Sequence, residues 1–255
     1  MSQSNPYAPS THLPVCDLQI RKVKVRPLDL LKRGYRMLGD QYWLFLGITI
    51  VGMIVGSAVP FGLILGPMLV GIYGCYAARE RGETVEFAQL FRGFDSFKES
   101  FIAYLVVLAA AMVVMIPVMI AMFVIVILPI ASSAAQNGGN GGPPPGFPIA
   151  ILAFYPVIII LNIVIAIPFL FAFQLIADRN MRGIDAVKAS VQGALKNLFG
   201  ITWYMVVLTF ISLILVCMCY VPVFFFFPVS FGAIFLLYRD IFPNPGSMQS
   251  FAPEN

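Results

Sequence analysis

Six long apolar stretches alternate with short polar segments along the chain. Each contains at least eighteen residues, about the length that an α-helix needs to cross roughly 30 Å of hydrocarbon. The pattern predicts six transmembrane helices, at about 42–59, 61–78, 101–130, 149–177, 200–219 and 221–238. The third and fourth stretches exceed one crossing, and Pro117, Pro156 and Pro168 are their predicted kink points.

Composition supports a membrane location. Apolar residues make up 60% of the chain and charged residues 11%, with a mean hydropathy of +0.89. A water-soluble domain carries about 25% charged residues. The excess apolar surface needs lipid as its solvent, and in lipid the backbone must satisfy its own hydrogen bonds. We therefore predict an all-α, polytopic membrane bundle over residues 27–240.

The positions of the charges predict the sidedness. All sixteen Lys and Arg, and all twelve Asp and Glu, lie in the segments that six crossings put on one side. The positive-inside rule makes that side cytoplasmic. We expect both termini in the cytoplasm, a disordered basic tail at 1–26 and a second disordered tail at 241–255. A re-entrant hairpin over 42–78 would leave four crossings and the same sidedness.

A short amphipathic segment precedes each odd-numbered span. Apolar side chains three and four positions apart mark one face of each segment, as in a helix that lies in the membrane interface. In the second segment Thr84 is the predicted helix cap. The three apolar faces are Leu28, Leu31, Tyr35 and Leu38; Phe87, Leu90, Phe91 and Phe94; and Ile184, Val187, Val191, Leu195 and Leu198. We therefore predict three hairpins, each preceded by a cytoplasmic amphipathic helix.

Two segments carry a resemblance to a known group of proteins. They read "ARERGETVEFAQLFRGF" at 78–94 and "FQLIADRNMRGIDAVKAS" at 173–190. Together with the basic helix and the tight first hairpin, they resemble YciC-like proteins and the membrane domain attached to some glycerophosphodiester phosphodiesterases. The group consists of uncharacterised bacterial inner-membrane proteins. The resemblance implies a six-helix membrane domain without catalytic residues, because the chemistry of the fused enzymes belongs to a separate soluble domain.

Two groups of charged residues are candidate functional sites. The first is a set of predicted contacts to anionic lipid headgroups, although the same cations would also fix orientation; it comprises Arg21, Lys22, Lys24, Arg26, Lys32, Arg33 and Arg36. The second follows the fourth span and comprises Asp178, Arg179, Arg182, Asp185 and Lys188. We interpret this second group as a structural elbow at the interface, in which Asp185 suits the positive end of a helix dipole.

Catalytic, metal and cofactor sites are not predicted. The six spans contain no Asp, Glu, Lys, Arg or His, whereas proton relays and ion-coupled carriers keep such groups at depth. Cys217, Met218 and Cys219 form a soft cluster that could hold Cu(I), but small apolar side chains in a helix are the favoured interpretation. An interfacial lipid enzyme that uses Asp178 or Asp185 is a third hypothesis.

Polar and small residues inside the spans leave transport as the alternative function. Asn162 lies in mid-span, where it would line a pathway or form an interhelical hydrogen bond. The first hairpin carries Gly52 with Gly56 and Gly62 with Gly66, a spacing that favours close packing of its two helices.

We predict a membrane-organising or accessory protein that contacts anionic lipid or a protein partner in the membrane, and no nucleic acid. The alternative is a transporter or permease-like subunit for a neutral or lipidic substrate. The sequence predicts no particular oligomeric state.

Overall fold

The computed structural model describes residues 18–129, 131–132, 147–218 and 220–243. Every regular element in these residues is helical, as predicted. The helices are α1 (Pro27–Leu38), α2 (Tyr42–Ser57), α3 (Leu65–Glu80), α4 (Phe97–Met122), α5 (Phe147–Phe169), α6 (Ala172–Arg179), α7 (Gly183–Lys196), α8 (Leu198–Cys217) and α9 (Val221–Ile241). Shorter pieces are 3₁₀ turns at Gly39–Gln41 and Pro60–Gly62, a 3₁₀ segment at Phe87–Ser96 and a π-helical turn at Phe123–Ile127.

Five helical segments are long and apolar enough to cross a membrane. By length and composition they are Pro27–Ser57, Phe87–Ile125, Phe154–Arg179, Leu198–Cys217 and Val221–Ile241. The prediction of a multi-pass helical membrane protein is confirmed at this level, and the described residues contain five such segments where we predicted six spans.

The predicted span at 61–78 differs most from the structure. It begins in the 3₁₀ turn, where Phe61 and Gly62 take left-handed φ angles of 61° and 63°. The helix that follows, α3, has sixteen residues, or about 24 Å at 1.5 Å per residue. Eleven of those residues are buried, from Gly66 to Ala78. The helix therefore lies at the centre of the bundle, and protein surrounds it where we expected lipid.

Small residues allow the neighbours of α3 to approach closely. A Cβ atom at Gly71 would collide with the carbonyl oxygen of Leu90, and one at Gly93 with that of Pro67. The 3₁₀ segment thus packs with its backbone against α3. We expected an α-helix capped by Thr84 here, but the segment begins at Phe87 without a side-chain cap.

The predicted span at 149–177 is divided. Helix α5 ends at Phe169, directly after Pro168, and α6 begins at Ala172. Proline removes a helical hydrogen bond, so the break falls where the sequence predicted a kink point. The helix continues through Pro117 in α4 and through Pro156 in α5.

The amphipathic segments bury a different face from the one predicted. In α1, Leu31 and Leu38 are buried as expected, but Leu28 and Tyr35 are 64% and 62% exposed. Gly34 lies on the buried face, where an added Cβ would stand 2.8 Å from the backbone nitrogen of Ala233 in α9. Small residues permit such close helix contacts, and the large side chains turn outward instead.

Helix α7 shows the same pattern, in which small residues are buried and some of the large apolar residues are exposed. Its buried face consists mainly of small residues, namely Gly183, Ala186, Val187, Ala189, Ser190, Gly193 and Ala194. Ile184 and Leu195, which we predicted on the apolar face, are 53% and 60% exposed. Large apolar residues at this level of the bundle therefore face its surroundings.

Candidate functional site

The basic segment before α1 is an ordered strap, which we define as residues 18–26. The Arg21 amide donates to the carbonyl oxygen of Ile241 at 2.9 Å, and the Val23 amide donates to Asn197 Oδ1 at 2.8 Å. Asn197 Nδ2 donates in return to the Arg21 carbonyl at 2.9 Å. We expected disorder through residue 26, but these bonds hold the strap against the end of α9 and the junction of α7 and α8. Residues 1–17 lie outside the described part.

Residue alternation in the strap separates its apolar and basic side chains. Ile20, Val23 and Val25 pack against the core. Lys22 and Lys24 between them are exposed, as is Arg26. An extended backbone directs successive side chains to opposite faces, so the strap presents its charge outward.

Helix α1 continues this basic surface. Lys32 and Arg36 are exposed on the same turns as Leu28 and Tyr35. Tyr35 stands 6.1 Å from the Tyr42 ring, centroid to centroid, and Tyr42 contacts Trp43 at 5.7 Å. We use the name outer cations for Lys22, Lys24, Lys32 and Arg36.

One predicted headgroup contact has a different partner. Arg33 donates to both carboxylate oxygens of Asp240, at 2.9 and 3.2 Å. This bidentate pair joins α1 to the end of α9. Arg33 therefore belongs to the packing of the bundle more than to its outer surface.

The elbow predicted at 178–188 has a buried half. Asp178 accepts hydrogen bonds from Arg239 Nη1 at 2.6 Å, from Arg239 Nη2 at 2.7 Å and from the Tyr238 hydroxyl at 2.9 Å. The side chains of Asp178 and Arg239 are only 6% and 8% exposed. Arg239 Nε also donates to Glu80 at 2.6 Å. We use the name buried charge cluster for Glu80, Asp178, Arg179 and Arg239.

Arg179 completes this cluster. It donates to the backbone carbonyls of Phe242 and Pro243 at 2.9 and 3.0 Å, and to the Tyr238 hydroxyl at 3.3 Å. Two positive and two negative side chains then balance one another. Asp178, Arg179 and Arg239 are less than a tenth exposed, whereas Glu80 lies at the edge of the cluster with its side chain 33% exposed. The cluster joins the ends of α3, α6 and α9, and each of its carboxylates already has a cation.

The other half of the elbow lies at the surface. Arg182 and Lys188 are exposed, Asp185 is half-buried, and none of the three forms an ion pair within the described residues. Asp185 lies in the first turn of α7, as predicted, and Glu99 in α4 adds a second carboxylate there, which accepts from the Gly183 amide at 2.7 Å. A negative charge at a helix N-terminus is favourable.

Three important residues were missed by the sequence interpretation, namely Glu99, Asn197 and Arg239. A signal existed for Arg239 as the partner of Asp178. Asp178 directly follows the fourth apolar stretch and Arg239 directly follows the sixth, so an even number of crossings brings them to the same side. Asn197 carried no comparable signal, because its role depends on where the strap lies.

The predicted glycine pairs pack against two different helices. An added Cβ at Gly52 would stand 2.9 Å from Ile72 Cδ1, and one at Gly56 would stand 2.7 Å from Leu65 Cδ1, both in α3. At Gly62 and Gly66 the nearest atoms are the Tyr104 hydroxyl at 2.8 Å and the Ser100 carbonyl at 2.6 Å, both in α4. The first pair joins α2 to α3, as predicted, and the second pair joins the following segment to α4.

Asn162 lies on an exposed face of α5. Its Nδ2 donates to the carbonyl oxygen of Ile158, one turn earlier, at 2.8 Å. The predicted interhelical hydrogen bond is therefore wrong, because the Asn162 amide donates to a carbonyl oxygen of its own helix.

The described residues give little support to a copper site at Cys217 or to another metal site. Cys217 is exposed, and Cys219, its proposed companion in a copper site, lies outside the described residues. Among the residues that the structure covers, no three His, Cys, Asp or Glu side chains stand close enough to hold a metal ion.

A polar cavity of about 220 Å³ lies between α3, the 3₁₀ segment and α6. Arg81, Glu83, Arg92 and Asp95 line its opening. Arg81 donates to Glu83 at 2.5 Å and lowers the pKa of that carboxyl. Cations and carboxylates alternate around this cavity, so it favours neither anions nor cations.

Comparison with known proteins finds no matching family model, no matching curated protein and no matching solved structure.

Proposed function

We propose that this chain is a membrane-organising or accessory protein that contacts anionic lipid through its outer cations. The observation that carries the proposal is that exposed cations and exposed apolar side chains lie on the same face of α1. Lys32 and Arg36 share the outer face of α1 with Leu28 and Tyr35, each more than 60% exposed. A lipid interface satisfies both kinds of side chain at once, since headgroups take the charge and chains take the apolar surface.

Orientation and location are part of the same proposal. We place the charged ends of the helices, the strap and both termini in the cytoplasm of a bacterial cell, with the bundle in its inner membrane. The resemblance to the YciC-like group is consistent with this placement. We expect α2 and α3 to enter and leave the membrane as a hairpin, in which α3 is shielded from lipid by its neighbours.

The alternative functions receive less support. A transporter hypothesis needs a pathway at Asn162, but that side chain is bonded within its own helix and lines none of the described cavities. An interfacial enzyme needs a carboxylate free to act. Asp178 already accepts three hydrogen bonds, two of them from Arg239. Among the described residues, Asp185 belongs to no group of acidic, His or Cys side chains that could hold a metal ion. We therefore favour a role without catalysis.

The native tryptophans provide the test. The chain contains two, Trp43 and Trp203, and Trp43 is 71% exposed beside the aromatic end of α1. Trp203→Phe leaves Trp43 as the only indole. In vesicles that mix phosphatidylglycerol with phosphatidylcholine, brominated chains of one lipid quench the indole in proportion to that lipid's occupancy beside it.

We expect Trp43 to report a preference for phosphatidylglycerol that falls by at least about fivefold in Lys32→Gln/Arg36→Gln, because each cation near the surface contributes about 1 kcal/mol. Lys98→Gln/Lys188→Gln removes two other exposed cations and should leave the preference unchanged. Equal quenching by both lipids in the parent protein would contradict the proposal.

A further inference from the structure

A groove separates the strap from the junction of α7 and α8. Its volume is about 530 Å³, and three lysines lie along it, namely Lys22, Lys24 and Lys196. None of the described residues that line it is acidic. The groove thus differs from the polar cavity at Arg81, where carboxylates balance the cations, because here the charge is of one sign.

The remaining wall of this groove is apolar and exposed. Phe199 is 91% exposed, Leu195 60% and Trp203 57%. Trp203 also lines the adjoining groove beside Leu28. Tryptophan side chains favour the level of the lipid headgroups, where the ring is apolar and the indole N–H finds a partner.

A second groove leads from the first along the bundle. It lies between α5 and α8, has a volume of about 430 Å³, and is lined almost entirely by apolar side chains such as Ile160, Val164 and Val206. Leu195 and Leu198 line both grooves. The pair therefore forms one path, with a cationic end at the strap and an apolar end in the membrane-spanning part.

Neither water nor pure hydrocarbon suits this path as a whole. Exposed side chains such as Phe199 and Val206 favour an apolar neighbour, whereas Lys22 and Lys24 need a polar or anionic one. One molecule meets both demands only when it joins an anionic head to an apolar chain.

Lys196 has a geometry that suits this occupant. Its Nζ donates to the Ile20 carbonyl at 2.6 Å and thereby holds the strap beside the groove. An ammonium group carries three N–H donors, so two remain for an anion. Lys22 and Lys24 are exposed next to it and extend the positive charge along the rim.

We propose that the two grooves together bind one anionic glycerophospholipid. Its phosphate lies among Lys22, Lys24 and Lys196, and one acyl chain lies in the groove between α5 and α8. This inference rests on the proposed contact with anionic lipid but adds a defined site, at which the strap, α5, α7 and α8 meet. The groove that adjoins α1 at Leu28 differs from this path, because the acidic Asp29 is part of its lining.

Trp203 is a built-in probe of this site. Trp43→Phe leaves it as the only indole, and the two brominated lipids used for α1 are used here again. We expect phosphatidylglycerol to occupy the site beside Trp203 at least about fivefold more readily than phosphatidylcholine, since more than one lysine contributes.

Two variants test the two ends of the lipid separately. Lys22→Gln/Lys24→Gln should bring the preference at Trp203 close to one, whereas Lys32→Gln/Arg36→Gln, an equal loss of charge on α1, should leave it within a factor of about two. Val206→Phe narrows the apolar groove and should reduce quenching by either lipid. Val113→Phe makes the same change on an open face of α4 and should not.

Each outcome separates this site from the broader proposal. If Trp203 in the parent protein shows no preference for phosphatidylglycerol, the proposed site is wrong. Lipid of any class, or another part of this chain, would then fill the groove. Unchanged quenching in Val206→Phe would overturn the acyl-chain position. In both cases the preference at Trp43 still decides the proposal for α1. Circular dichroism and the elution volume of each variant establish that it remains folded.

Discussion

The buried charge cluster and the outer cations lie at the same end of the molecule, yet their surroundings differ completely. Asp178 and Arg239 are less than a tenth exposed and bonded to each other twice. Lys32 and Arg36, on α1, which packs directly against α9, are exposed beside large apolar side chains. The first group joins three helices, while the second group meets whatever surrounds the bundle.

This difference shows that a charge near a membrane interface can serve either of two purposes. A buried ion pair is costly to desolvate, so it persists only where geometry and further hydrogen bonds compensate. An exposed cation has little effect on folding, because water screens it. The same residue type is therefore structural in the cluster and available for ligands at the surface. Mutations should affect stability in one place and lipid contact in the other.

The largest effect is expected from Arg239→Met. It removes both hydrogen bonds from Arg239 to the buried Asp178 and leaves only Arg179 Nε, 3.8 Å away, as its cation, which should lower the free energy of unfolding by about 3–5 kcal/mol. Denaturation in SDS followed by circular dichroism measures this change. Arg36→Met makes the same replacement at an exposed site and serves as the control.

A rescue variant shows whether the missing charge is the cause. Asp178→Asn/Arg239→Met removes both members of the pair, while the amide oxygen still accepts from Tyr238. It should recover at least about half of the lost stability. A double variant as unstable as Arg239→Met alone would mean that the arginine acts mainly through its contacts with the rings of Phe235 and Tyr238, 5.3 and 5.5 Å away.

Gln174 is an exception inside the packed region, one helical turn before Asp178. It is fully buried, and neither its amide nitrogen nor its amide oxygen has a hydrogen-bond partner in the protein. Replacing an unpartnered buried amide with an apolar side chain of similar size should stabilise by about 1–3 kcal/mol. We expect Gln174→Met to raise the melting temperature, with the exposed Gln192→Met as control. A lower melting temperature would indicate that the amide binds a buried water or a solute.

The strap connects the two regions, and Asn197 holds it. Asn197→Ala removes the hydrogen bonds to the Val23 amide and the Arg21 carbonyl, at a cost of about 1–2 kcal/mol. Local opening should expose the peptide bonds after Lys22 and Lys24, and we expect trypsin to cut there faster than in the parent protein. Gln192→Ala, on the exposed side of α7, should not change the rate. Equal rates in both variants would show that apolar packing of the strap suffices.

The sequence predicted the class of the molecule, a multi-pass helical membrane protein. Apolar stretches of about twenty residues have few other physical meanings. The sidedness inferred from the charges stays a prediction. The break after Pro168 was also predictable, since proline acts locally. These features depend on one segment at a time.

Features that depend on neighbouring segments were harder to predict. Hydropathy could not distinguish α3, which protein surrounds, from helices that face lipid, because both environments are apolar. The faces by which α1 and α7 pack in the bundle were only partly predicted, for a related reason. In lipid, small residues such as Gly34 and Gly183 mark the packed face, whereas the pattern of large apolar residues marks the outer one. The strap and Asn197 required the tertiary structure.

The smallest effect is expected from the outer cations of α1. Lys32→Gln/Arg36→Gln should change the free energy of unfolding by less than about 0.5 kcal/mol, because exposed charges contribute little to folding. The same variant should abolish most of the anionic-lipid preference at Trp43. Stability and lipid preference measured on one sample thus separate the two purposes of charge. A double variant that unfolds as readily as Arg239→Met would show that α1, too, depends on its charges for packing, and the contrast between the two regions would then fail.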